Sequence, residues 1–137
     1  MTPLSDFKVG MSVEALTICT DDSIRSFSES TGDKNPIHLD ESFARTTPFK
    51  KRIAHGMWTG GLISSLIAGD LPGKGSIYLG QNLTFLRPVY IADEITVTVE
   101  IIDMDDRTDV LKLNCKAVNQ DGVLVVHGVA EVLAKYI

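Results

Sequence analysis

Between Ser30 and His38 the chain reads Ser-Thr-Gly-Asp-Lys-Asn-Pro-Ile-His, and it reaches Ala44 six residues later. This stretch presents a carboxylate (Asp33), an amide (Asn35), a rigid proline (Pro36) and an imidazole (His38) in close succession. A carboxylate and an imidazole that converge on one water are a suitable pair for moving two protons within a single reaction cycle. Pro36 cannot extend a helix and biases Asn35 toward an extended backbone. An irregular loop that displays Asp33 and His38 together is therefore expected. The competing reading is a plain turn, because Asp and Asn favour loops through local hydrogen bonding and short motifs recur by chance.

A second group lies at Ala54-His55-Gly56-Met57, ahead of an apolar run. The first N–H groups of a helix lack intrahelical partners and sit at the positive end of its dipole. A glycine there lets a ligand oxygen approach the backbone. Gly56 is thus a candidate oxyanion-hole residue for a thioester enolate. The alternative is a simple glycine N-cap with His55 as a half-buried loop residue. His127 lies in a strand-like segment and reads as structural. The three histidines have no metal-ligand spacing such as HxxxH, so no metal is expected. Cys19 and Cys115 are far apart and form no CxxC pair, and both read as small apolar residues.

These groups need elements to hold them. Thr20–Thr31 reads as a helix, with Thr20 as N-cap, Asp21 and Asp22 at the positive dipole end, and Gly32 as its stop. A short helix is expected around Glu41–Arg45, capped by Asp40. Gly56–Asp70 is apolar on nearly every side, through Met57, Trp58, Leu62, Ile63, Leu66 and Ile67, which predicts a buried helix. Gly60 and Gly61 inside it each cost about 1 kcal/mol relative to Ala, which suggests close approach of a sheet. Leu71–Gly75 ends that helix in a loop. Tyr78–Leu86, the alternating Ile95–Ile102, Val110–Val118 and Leu124–Leu133 read as strands, with a charged turn over Asp103–Asp109 and a hairpin signal at Gln120-Asp121-Gly122. A buried helix followed by an antiparallel meander predicts an α+β fold with the sheet wrapped around the helix.

The 137 residues amount to a single domain, and a core can form without disulfides or metals. The formal charge of -5 argues against a nucleic-acid partner, which needs surplus Lys and Arg against phosphates. The N-terminal residues lack the basic stretch and apolar run of a signal peptide. The longest apolar stretch, Met57–Ala68, is too short to span a bilayer. A soluble, cytoplasmic protein with no membrane partner is expected.

The segment Ser30–Ala44 resembles the hydratase 2 signature of MaoC-like, (R)-specific enoyl-CoA hydratases. The resemblance extends through Ala54–Met57, Leu71–Gln81 and Phe85–Glu94 and is closest to the short, single-domain hydratases of polyhydroxyalkanoate metabolism. It implies a hot-dog fold over residues 1–137, a homodimer, and hydration of trans-2-enoyl-CoA to (R)-3-hydroxyacyl-CoA. It further implies Asp33 and His38 as the acid–base pair, Gly56 N–H as the group polarising the thioester carbonyl, and Asn35 as support. Ser64 and Ile67 match acyl-pocket positions. No cofactor is implied, because the CoA thioester itself activates the substrate. The alternatives are a dehydratase acting on 3-hydroxyacyl thioesters of CoA or acyl carrier protein, a hot-dog thioesterase, and a non-catalytic acyl-thioester-binding subunit.

Overall fold

The computed structural model describes residues 6–134. The chain opens with strand β1 (Ser12–Ile18), then helices α1 (Asp21–Thr31), α2 (Pro36–Leu39), α3 (Glu41–Arg45) and α4 (Gly56–Gly69). Strands β2 (Ile77–Gln81), β3 (Thr84–Phe85), β4 (Glu94–Asp105), β5 (Val110–Val118) and β6 (Leu124–Leu133) complete it. All pairings in the sheet are antiparallel, in the order β1-β4-β5-β6-β2, and β3 follows β2 along β6. Ile95, Val97, Val99 and Ile101 of β4 and Leu111, Leu113, Cys115 and Ala117 of β5 are all buried, the inward halves of two alternating strands. Helix α4 packs on β4, β1 and β5 with Ile63, Leu66 and Ile67 in the core. This is the expected α+β sheet around a central helix.

Several elements differ from expectation. Strand β1 was not anticipated; its apolar residues Val13, Leu16 and Ile18 do not alternate cleanly, and Leu16 and Ile18 are exposed, so the segment is held by register with β4. Strand β4 continues through Asp105, past a bulge at Ile102, and only then turns. Tyr78–Leu86 is two short strands, broken at Asn82 and Leu83. There the Asn82 carbonyl comes so close to Gly128 that a Cβ at Gly128 would lie 1.8 Å from it. The glycine pair in α4 splits in purpose. A Cβ on Gly60 would sit 3.1 Å from Leu83, whereas nothing crowds Gly61. Gly61 lines an open cavity instead.

Candidate active site

Helix α1 starts with a capping box, in which the Thr20 hydroxyl accepts from Ser23 N–H and the Ser23 hydroxyl accepts from Thr20 N–H. It ends at Gly32, whose φ of 80° is left-handed. That ending throws Asp33 out of the helix onto an exposed turn. The Thr31 hydroxyl accepts from Asp33 N–H (3.2 Å), and the Asp33 carboxylate accepts from Asn35 N–H (3.4 Å). The expected irregular loop is in fact one turn of helix from Pro36. Asn35 caps it by accepting from Ile37 N–H (3.3 Å), and Pro36 occupies the first helical position, where its missing N–H has no cost. Asn35 therefore serves as the cap of the element that carries His38.

His38 is 8% exposed, and its Nδ1 donates to the Ile53 carbonyl (2.7 Å). That bond assigns the ring proton to Nδ1 and leaves the Nε2 lone pair free to accept. The backbone of His38 is held as well. Arg52 donates from Nε to the His38 carbonyl (2.8 Å) and from Nη2 to the Asp21 carboxylate (2.6 Å), which ties α2 to the start of α1. Arg52 and Arg25 hold the Asp21 carboxyl below the usual carboxylate range.

His55 is the residue that the sequence reading undervalued. It is 2% exposed and serves as the N-cap residue of α4, so Gly56 is the first helical residue rather than the cap. Its ring lies against His38 with centroids 3.8 Å apart and against Phe27 at 4.6 Å. Its Nε2 lies 2.9 Å from the Ser28 hydroxyl and 3.1 Å from the Asp33 carbonyl. A carbonyl only accepts, so Nε2 carries the proton. Burial holds the ring toward its neutral form. Asp33, His38 and His55 each bring a potential ligand atom within 4.8 Å of the other two, a cluster that histidine spacing in the sequence does not reveal. With Nε2 of His55 engaged, the two groups facing outward with free acceptor capacity are the Asp33 carboxylate and His38 Nε2. One water fits between acceptors so spaced.

These residues open on a cavity of about 400 Å³, walled by Asp33, His38, Gly56, Met57, Phe85 and Arg87 among others. Gly56 lines this space as the first residue of α4, where its N–H has no acceptor within the helix. A Cβ there would stand 2.7 Å from the Phe85 ring, so any side chain would displace the ring or the helix. A second cavity of about 540 Å³ is lined by Ser64, Gly60, Gly61 and Tyr78, and Met57 lines both. Ile67 is 2% exposed within the core and lines neither cavity, so its expected pocket role meets no support and its packing role is plain. Trp58 is likewise buried. His127 is exposed on β6, paired with Thr84 and Lys116. Residues 42–69 and 71–92, which supply most of the walls, contain no Asp or Glu, in a chain of 18 acidic and 13 basic residues.

Residues 6–121 match the MaoC like domain. The chain is 43% identical over 109 residues to an (R)-specific enoyl-CoA hydratase of Aeromonas caviae, covering 80% of this chain and 81% of the relative. It is 40% identical over 120 residues to a 3-hydroxybutyryl-CoA dehydratase of Methylorubrum extorquens, covering 88% and 76%. Its fold superimposes on the unliganded R-hydratase PhaJ1 from Pseudomonas aeruginosa with a TM-score of 0.93 and 41% identity, covering 98% of this chain and 86% of the other.

Proposed function

The chain belongs to the MaoC-like domain family, and from that premise we propose that it hydrates trans-2-enoyl-CoA to (R)-3-hydroxyacyl-CoA, reversibly. The observation that carries the reading is the convergence of the Asp33 carboxylate and His38 Nε2 on one cavity, beside the free N–H of Gly56. The hydratases of A. caviae and P. aeruginosa support the same direction.

The thioester carbonyl accepts from Gly56 N–H at the positive end of α4, which draws electron density from the double bond toward oxygen. A water donates one hydrogen to Asp33 and one to His38 Nε2, leaving a lone pair for C3. As the C3–O bond forms, Asp33 takes the water's proton and the π electrons move onto the thioester oxygen. The enolate then collapses as the proton held by the Asp33–His38 pair is delivered to C2, which returns Asp33 to its carboxylate. Water adds across the double bond with no redox change, so no cofactor is required. The acyl tail runs past Met57 toward Ser64. Asp33 apart, the walls carry no carboxylate, and with Arg87 among them they accept an anionic carrier. The protein acts as a cytoplasmic homodimer in the supply of (R)-3-hydroxyacyl units for polyhydroxyalkanoate synthesis; among the described residues no helix is long and apolar enough to cross a membrane.

The test is loss of the enoyl absorbance of crotonyl-CoA and of longer enoyl-CoAs, with chiral analysis of the product. An (S) product, or release of free thiol in place of hydration, overturns the reading. A second reading, dehydration of a 3-hydroxyacyl-CoA as the working direction, is favoured by the M. extorquens relative. It uses the same residues.

A further inference from the structure

His55 lies outside the acid–base pair, yet three observations converge on it. Its Nε2–H is shared between the Ser28 hydroxyl (2.9 Å) and the backbone carbonyl of Asp33 (3.1 Å). Its ring face supports the ring of His38 at 3.8 Å. Its Nδ1 is buried and has no protein hydrogen-bond partner, and neither does the hydroxyl of Thr59, one turn along α4. A buried, unpartnered nitrogen costs free energy. A residue kept for packing alone would carry no such group.

Resting on the hydratase reading above, we infer that His55 is the positioning residue of the active site: its Nε2–H sets the Asp33 turn, and its ring face, stacked on His38, makes the smaller contribution. It reaches the two members of the pair by different means. Asp33 stands on a turn with an exposed side chain, and its carboxylate is held only by a long contact from Asn35 N–H (3.4 Å). The bond from His55 to the Asp33 carbonyl anchors that turn to the buried base of the site, and the contact with Ser28 anchors His55 in turn to α1. His38 is fixed at Nδ1 by Ile53 and through its backbone by Arg52, but neither contact limits tilt of the ring toward α4. The His55 face does. The role does not involve proton transfer, since the Nε2–H is committed to Ser28 and the Asp33 carbonyl.

Two substitutions separate the donor from the ring. His55→Gln places an amide N–H close to where Nε2 stands and keeps the donor. His55→Phe keeps the ring and removes the donor. With crotonyl-CoA, His55→Phe is expected to lower kcat by about a hundred-fold, as misplacement of a reacting group by about an ångström does, while KM stays within about two-fold. His55→Gln is expected to keep kcat within about ten-fold of wild type, and the melting temperature should not track kcat across the pair. Equal kcat loss in both variants, or near-wild-type turnover of His55→Phe, overturns the inference. If His55→Phe does not fold, His55→Asn replaces it: the shorter amide cannot reach the Asp33 carbonyl, so it must lose kcat where His55→Gln keeps it. If no replacement folds, His55 is a folding residue and the inference is wrong. A wild-type chain inert on every enoyl-CoA sinks the hydratase reading itself, a result distinct from an active wild type with unaffected variants.

Discussion

The roles proposed for Asp33 and His38 rest on geometry set by neighbours. Nδ1 of His38 is committed to Ile53, so Nε2 is the nitrogen left to accept. Replacing it with Gln should leave the fold intact and lower kcat, as should Asp33→Asn. Positioned acid–base groups contribute typically about a hundred- to ten-thousand-fold. Enoyl-CoA hydration kinetics beside a thermal melt checks this, and a variant with wild-type turnover removes that residue from the mechanism. Binding of a product analogue should survive in Asp33→Asn, which separates a catalyst from a mere acyl-thioester binder. Gly56 makes a sharper steric prediction. Alanine there brings its Cβ to 2.7 Å from the Phe85 ring. Overpacking of this kind typically costs about 1–3 kcal/mol. The ring must swing into the cavity or α4 must retreat, so Gly56→Ala should lower both the melting temperature and kcat.

At the scale of elements, α4 separates two spaces and Met57 is the side chain common to both. Met57→Ala should join them. Longer enoyl-CoAs should then gain on crotonyl-CoA in kcat/KM by about ten-fold or more, since about 1–3 kcal/mol of discrimination attends each methylene in an apolar pocket. An unchanged ratio between four-carbon and eight-carbon substrates would show that the tail takes another route. Ile67→Ala, by contrast, should lower stability by about 2–5 kcal/mol as a core truncation. The link from α1 to α2 carries a pH signature. Arg52 and Arg25 lower the pKa of Asp21 in the folded chain. A carboxylate with a depressed folded pKa contributes stability that is fully present above its unfolded value of 3.8, and that contribution is lost as pH falls through the folded value. The melting-temperature gap between wild type and Asp21→Asn should therefore be full at neutral pH and close only below pH 3.8. A gap that stays constant down to strong acid contradicts the assignment.

At the scale of the whole molecule, both ends of the sheet are open among the described residues. At the end formed by β2 and β3, Ile77, Leu79, Phe85 and Leu86 are exposed. Unpaired edges with apolar side chains invite pairing with another chain. Phe85 and Leu86 also wall the active-site cavity. A two-fold pairing along this end would cover them and deepen the site. Light scattering at micromolar concentration should report a dimer, and Leu79→Glu should shift it toward monomer with loss of activity. A wild-type monomer at full activity contradicts the proposal.

Sequence alone determined the elements whose signals are local. Thr20 capping α1, Gly32 ending it, Asp40 capping α3, and the alternation of β5 and β6 are all written in neighbouring residues, and each appears where the spacing put it. Type and spacing also singled out the stretch from Asp33 to His38 beside the competing reading of a plain turn; the structure brings the two side chains within 4.8 Å but folds the expected loop as a turn of helix. Tertiary structure decided what depends on partners distant in the chain. Strand β1 exists because β4 offers it a ladder, not because its apolar residues alternate. Helix α2 forms at Pro36 because Asn35 caps it and Arg52, from beyond α3, holds the carbonyl of His38. Ile67 could be placed on α4 but not assigned to core or cavity, since that depends on which face of the helix meets the sheet. His55 was visible only as a loop histidine. Its contacts lie 27 residues away at Ser28 and 22 away at Asp33, and separations of that size leave no periodic trace in a sequence.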